Sequence, residues 1–374
     1  MIKLKNELMK KTLLFITIVL LSSCEMQKNV SDIYGYDKDC LRNAQELQYT
    51  DIQITELDCG KDNQLTAPEK VLVTKDDVFI LDNDRVFRFN KTGKLIKTIG
   101  RQGHGNGEYI SPSTFYIGYD RLVSIVDTYA GKILKYTIDG EFKESVKIGE
   151  LATNVQDAES IDNDLLFTSN YIYNKDNKVY NMLNLKEKDA SVIARTEMST
   201  ANTKEAIGVH PFSIHDNVIR YVLPFDNNIY SINDMIEYRY VTEKRLFALE
   251  EQKKINDFSI MTYQKLLKED MFLGFTDIYE TDKYIFTACK NLEYVILNKQ
   301  EQLCKRYNYR LDKNTECFPL YNIIASDNNV LYGLINTSEL SRIKTYNTDD
   351  EYLNQLMKYK DEEDKYLIIS YHIK

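Results

Sequence analysis

The densest chemistry in this 374-residue sequence lies in ten residues, Gly100-Arg-Gln-Gly-His-Gly-Asn-Gly-Glu-Tyr109. Arg101 presents a fixed fork of donors suited to a carboxylate, and His104 is one of only four imidazoles in the chain. Glu108 adds a carboxylate acceptor, and Tyr109 adds a ring with a polar tip. Arg101, His104, Glu108 and Tyr109 are therefore the candidate binding residues. A purely structural turn, in which Glu108 satisfies backbone donors and glycines such as Gly105 supply positive φ, is the competing reading. The spacing Gly103-x-Gly105-x-Gly107 also invites a dinucleotide reading. That chemistry needs a helix behind the glycines to receive a pyrophosphate, and Tyr109-Ile-Ser-Pro follows instead.

Other catalytic signatures are missing: there is no Gly-x-Ser-x-Gly elbow, no His-Glu-x-x-His helix and no phosphate-cradling Walker loop. His210 and His215 are spaced poorly for a shared metal on one strand or helix. Asp226-x-Asn228 with Glu237 echoes a calcium loop, but Ser231 stands where that loop needs glycine and Tyr230 where it needs a ligand. No catalytic residue, metal or cofactor is expected.

The N-terminus reads as an export signal, with Lys10 and Lys11 ahead of an apolar run from Thr12 to Leu21. That run is too short to span a bilayer, which needs about twenty residues. Leu21-Ser-Ser-Cys24 resembles a bacterial lipobox, which implies cleavage before Cys24 and lipidation of its thiol. Met9 is an alternative start. The expected organisation is a signal peptide over residues 1–23, a flexible tether over 24–47 and one domain over 48–374.

The whole chain carries a net charge of −9, and residues 1–23 hold four lysines against one glutamate, so the processed chain is more acidic still. Such a surface repels phosphate backbones. Nucleic acid is excluded as a partner, membrane contact is expected through the lipid alone, and the chain is expected to be monomeric. Beyond Cys24, five cysteines remain with no Cys-x-x-Cys spacing. They read as small apolar fillers, although export permits a Cys40–Cys59 or Cys289–Cys304 disulfide.

The elements that must position these residues are short β-rich runs separated by Asp/Asn/Gly turns. Residues 71–99 and 115–148 read as two copies of one four-stranded unit. Asp127 repeats Asp82 after 45 residues and Gly140 repeats Gly93 after 47, within the roughly 40–50 residue period of propeller blades. Weaker copies follow, including runs at 161–168, 171–173, 179–183 and 191–194 in the third. Pro224 in the fourth must lie at an edge or bulge. Ile255, Phe258, Met261 and Leu266 recur at helical spacing and predict a helical insertion in a loop; a second helix is expected near Asp350–Lys360, with Tyr352, Leu353, Leu356 and Met357 inward. Thr50–Leu57 is a strand without a unit of its own, and it predicts ring closure against Tyr366–Lys374. The fold class is thus all-β, a six-bladed β-propeller with small helical insertions, seven blades being the alternative.

The Gly100–Tyr109 connector, the Asp82 and Asp127 turns and the Val222-Leu-Pro-Phe-Asp-Asn-Asn-Ile-Tyr-Ser-Ile232 run look like NHL-type repeats. With the lipobox, the chain resembles the six-bladed β-propeller lipoproteins of Bacteroidetes, which implies an exported, lipid-anchored location at the cell envelope. Two functions are compatible with that resemblance. One is a binding or scaffold module for a protein or glycan ligand. The other is a propeller enzyme, a lyase or hydrolase acting at the central channel, for which four histidines are a thin supply.

Overall fold

The computed structural model describes residues 30–35, 40–41, 49–61, 63–148, 155–161, 164–169, 180–186, 189–195, 210–223, 225–231, 235–248, 251, 260–289, 293–308, 311 and 313–374, with backbone alone described at 40–41, 49–50, 161–195, 235 and 260. Cys24, Cys40, Tyr171–Tyr173, Pro224, Ile255 and Phe258 lie outside the described residues or side chains.

Alternating apolar residues make the strands, and turn residues separate them, as period-two patterning requires. Six sheets of four or five strands are present among the described residues. The first runs Pro68–Val73, Asp77–Asp82, Arg85–Asn90 and Leu95–Ile99, each strand antiparallel to the next. The second repeats this with Thr114–Ile117, Val123–Asp127, Lys132–Tyr136 and Phe142–Lys147. Gly93 and Gly140 turn equivalent outer hairpins at φ 81° and 79°, a conformation that glycine adopts without steric cost. The third to fifth sheets follow in order, beginning at Val155, Phe212 and Phe275. The third opens with Val155–Ile161, a strand that its polar sequence hides.

Inner strands of successive sheets touch in turn: Pro68–Val73 meets Thr114–Ile117, which meets Val155–Ile161; His210, just before Phe212–His215, reaches Asp157, and Phe212–His215 meets Phe275–Glu280. Phe275–Glu280 meets Ile323–Asp327, which returns to Pro68–Val73. The fold is a β-propeller. Its last sheet is ordered Ile323–Asp327, Val330–Asn336, Tyr366–Ile373 and Tyr49–Glu56, so both ends of the domain pair in one sheet as expected. That pairing removes two exposed strand edges.

The first sheet buries both faces against its neighbours. Val78 and Ile80 pack toward Tyr332, Leu334 and Ile368 of the last sheet, while Phe79 and Leu81 pack toward Phe115, Ile125 and Tyr136 of the second. All six residues of Asp77–Asp82 are buried as a result. The fifth and sixth sheets enclose a larger cluster that includes Phe286, Tyr294, Ile335, Ile369 and Tyr371. It is capped by helix α3 (Glu351–Met357), whose Leu353 and Leu356 are fully buried. Asp350 starts that helix by accepting a hydrogen bond from Leu353 N at 2.9 Å. Short helix α2 is Thr337–Leu340.

One expectation changes. Part of the segment read as a tether is sheet: Ser31–Gly35 pairs parallel to Met235–Thr242, and Cys40–Leu41 pairs parallel to Cys304–Asn308. Both additions cover outer edges that the sheets would otherwise expose, a tertiary demand with little local signature. Helix α1 (Ile260–Lys268) forms within the expected insertion, with Leu266 buried and Met261 75% exposed. Cys289 and Cys304 are both buried and form no disulfide with each other; burial in an apolar cluster raises the Cys289 thiol well above its usual range.

Candidate functional site

Gly100–Tyr109 connects the outer strand of the first sheet to the inner strand of the second. Its polar groups are largely turned on one another. Glu108 accepts from Gly105 N at 2.7 Å and pairs with the 81% exposed Arg101 at 2.6 Å. The Gly105 N–H, then Arg101, holds the Glu108 carboxyl below its ordinary value. Tyr109 faces no ligand site: it is 0% exposed, packed with Phe115 and Tyr136, and burial pushes its phenol up to about 12. A tyrosine beside a wedge between two twisted sheets is a core filler wherever the wedge is wide. His104 has no hydrogen bond among the described residues and lies on the exposed loop. Positive φ falls at Gly100 (66°) and Gly107 (75°), not at the expected Gly105. A Cβ on Gly107 would approach the Phe142 ring to 2.7 Å.

The repeated aspartates explain how the connectors are held. Asp82 accepts from Thr66 N at 2.9 Å and Ala67 N at 2.6 Å, and Asp127 accepts from Ile110 N at 2.6 Å and Ala130 N at 2.9 Å. Both are fully buried. Each ends the second strand of its sheet and fixes the chain entering that sheet, so the carboxylate replaces water for donors that the turn leaves unpaired.

The more reactive cluster lies where the inner strands converge, and it contains none of the residues singled out in the connector. Lys70 of the first sheet donates to Asp157 of the third at 2.5 Å and to Ala158 O at 2.8 Å, and approaches Glu159 at 3.6 Å. Thr114 of the second sheet reaches Asp157 at 3.5 Å. His210, leading into the fourth sheet, places Nδ1 3.0 Å from the other Asp157 oxygen. His210 is stacked on Tyr279 of the fifth sheet, with ring centroids 5.2 Å apart, and its backbone N donates to Asp277 at 2.7 Å. Side chains from the first to fifth sheets meet in this way only across the middle of the ring.

Position on strands dictates the cluster's chemistry. Asp157 and Glu159 are two apart and share one face of Val155–Ile161. Asp157 is fully buried, and burial alone would raise it, but Lys70 and His210 overcome that and hold its carboxyl below the ordinary value. Glu159 goes the other way: burial raises it, and the Asp157 charge adds to this against the opposing Lys70 and His210. Because Nδ1 faces a carboxylate, it carries the proton in neutral His210, leaving Nε2 as an acceptor with no partner among the described residues. The site thus offers a held imidazole lone pair and a carboxyl raised above its ordinary value, on side chains 18% and 21% exposed.

The segment that echoes a calcium loop is engaged within the fold. Asp226 takes hydrogen bonds from Asn228 N and the Tyr230 hydroxyl, and Glu237 forms a two-point pair with Arg220 at 3.0 Å. Arg220 also reaches the buried Glu280, which Lys299 meets at 2.9 Å, tying the fourth sheet to the fifth.

Against known proteins, residues 34–371 match the family described as domain of unknown function DUF4934. The chain belongs to this family. Among solved structures it is similar to an exported protein of Bacteroides fragilis, at 17% identity and a TM-score of 0.73, covering 92% of this chain and 100% of that one. It is also similar to a DUF4221 family member from Bacteroides vulgatus, at 10% identity and a TM-score of 0.50, covering 87% and 97%. A looser likeness, 12% identical with a TM-score of 0.37, reaches the WD40 β-propeller domain of Doa1 over 68% and 72%. No curated protein matches. No helix among the described residues is long and apolar enough to cross a membrane.

Proposed function

We propose that this protein is an exported, lipid-anchored, six-bladed propeller of the NHL-repeat-like kind that binds a ligand at the cell envelope. The observation that carries the binding role is the axial cluster of Lys70, Asp157, Glu159 and His210, drawn from sheets far apart in sequence. Charged groups are seldom buried without a partner or a purpose. Here Lys70 is shared between Asp157 and Glu159, and Asp157 in turn holds His210, which leaves His210 Nε2 for something else. The His210 acceptor, with the partly open Glu159 carboxyl in the same cluster, suits a hydrogen-bond-donating, polyhydroxylated ligand such as a glycan. Anchoring through Cys24 would keep that ligand near the membrane.

The Asp157–His210 pair favours a second reading, a lyase or hydrolase at the axis. Asp157 fixes the tautomer, His210 Nε2 is placed as a base, and the raised Glu159 is placed as an acid.

A glycan array followed by titration calorimetry on the processed chain tests the binding role. Wild type should bind one glycan class, and His210→Ala and Glu159→Gln should each weaken binding at least about tenfold, about 1.4 kcal/mol, while keeping the fold. Full binding by both folded variants would remove the site from the axis. Chain-shortened products from the bound glycan would establish the enzyme instead.

A further inference from the structure

His215 ends the inner strand Phe212–His215, at the opposite end from His210 and about 17 Å along it at the rise of a strand. The hairpin turn that follows is Asp216-Asn217, both at positive φ (50° and 61°), the pattern of a tight two-residue loop. The equivalent hairpin of the neighbouring sheet carries Asp282, whose backbone N is fixed by Asn328 O of the next sheet at 3.1 Å. The two turns thus present two carboxylates to one imidazole. His215 Nε2 lies 3.1 Å from Asp282 Oδ1 and 3.6 Å from Asp216 Oδ2, and the three donor atoms are mutually within 4.8 Å.

Two features set this group apart from a surface acidic patch. The His215 side chain is only 9% exposed, and its Nε2 is buried without a hydrogen-bond partner among the described residues, although two carboxylates stand beside it. A buried ring nitrogen left in that state is costly unless something occupies the space in front of it. The spacing also fits an ion: ligands about 2.0–2.1 Å from a tetrahedral zinc lie about 3.4 Å from one another. The separations of 3.1 and 3.6 Å bracket that value.

We propose that His215, Asp216 and Asp282 bind a divalent first-row transition-metal ion, zinc being the ion of choice, at the rim between the fourth and fifth sheets. One imidazole nitrogen and two carboxylate oxygens form a three-ligand set with open positions for water or a ligand atom. Asp216 and Asp282 are 87% and 52% exposed, so the ion enters from solvent without opening the fold. The chain's net charge of −9 favours cation uptake. The bridge would join two hairpins of adjacent sheets and stiffen that edge of the ring. It is separate from the axial cluster and independent of the function proposed for it.

The test is zinc binding to the processed full chain after chelator treatment, by calorimetry and by elemental analysis after dialysis. Wild type should take up one zinc per chain and melt at a higher temperature with it. His215→Ala and Asp282→Asn should each weaken binding at least about tenfold, the scale on which losing a supporting group acts at metal sites. Asp216→Asn, on the exposed turn, leaves the fold intact and should weaken binding as well. Cobalt in place of zinc should give visible absorption that His215→Ala abolishes. The proposal is overturned if wild type takes up no zinc at micromolar concentration, in which case the trio is an ion pair with a protonated His215. It is equally overturned if the folded variants hold zinc as tightly as wild type.

Discussion

Replacing Lys70 by Met keeps most of the side-chain volume and removes the cation at the centre of the ring. Asp157 is fully buried and would keep His210, Thr114 and Ala158 N as partners, but lose its 2.5 Å contact with the ammonium; Ala158 O would lose its 2.8 Å donor. Breaking a buried ion pair by deleting one member costs about 3–5 kcal/mol, because the remaining charge is left uncompensated. At an unfolding entropy of about 2.1 cal/mol/K per residue, a chain of this size should lose about 4–7 °C in melting temperature at neutral pH. The loss should shrink in acid. In wild type the Asp157 value is depressed, so its contribution is present above the unfolded carboxyl value near about 3.9 and fades as pH falls through the lower folded value. Without Lys70, burial prevails and the carboxyl rises, so the variant gains on wild type as pH falls from 7 toward about 4. Calorimetric melts of both proteins across that range give the result, and Asp157→Asn in the Lys70→Met background should recover much of the loss. A single variant melting within a degree of wild type at pH 7, or a gap that widens in acid, would refute the argument.

Cys24→Ala should move the processed protein from the membrane fraction to the soluble one on fractionation, and a variant still held in membranes would exclude the lipid anchor. Deleting residues 366–374 strips the last sheet of the strand that pairs with both Val330–Asn336 and Tyr49–Glu56, together with buried Leu367, Ile369 and Tyr371; circular dichroism should show no cooperative melt. Asp127→Ala leaves Ile110 N and Ala130 N without their acceptor and should cost about 1–3 kcal/mol for each donor left buried, read by denaturant titration. Arg101→Ala with His104→Ala should leave the melting temperature nearly unchanged, because an exposed ion pair contributes little to stability, whereas Gly107→Ala should lower it through its φ of 75° and the Phe142 contact.

Much of the propeller was legible because its information is local. Strand and turn alternate every few residues, so Val78-Phe-Ile-Leu and Leu122-Val-Ser-Ile-Val declare themselves, and the 45-residue return of Asp82 at Asp127 marks a carboxylate doing the same work in each sheet. Ring closure could be read too, since Thr50–Leu57 alternated with no unit to join and a lone strand edge must be paired. The edge strands Ser31–Gly35 and Cys40–Leu41 could not, because their pairing depends on which outer edges the finished ring leaves bare. The axial site was equally hidden. Lys70 and Asp157 are 87 residues apart, Asp157 and His210 are 53 apart, and His210 and Asp277 are 67 apart. In the sequence each is an isolated polar residue in or beside a strand, and Val155–Ile161 is too polar to signal burial. Only closure of the ring puts those strands side by side and removes water from between them, and that desolvation is what turns separate charges into a coupled site. The connector shows the converse: Arg101, His104, Glu108 and Tyr109 are neighbours along the chain, yet the folded ring buries Tyr109 between two sheets, closes Glu108 on its own turn and leaves Arg101 and His104 exposed.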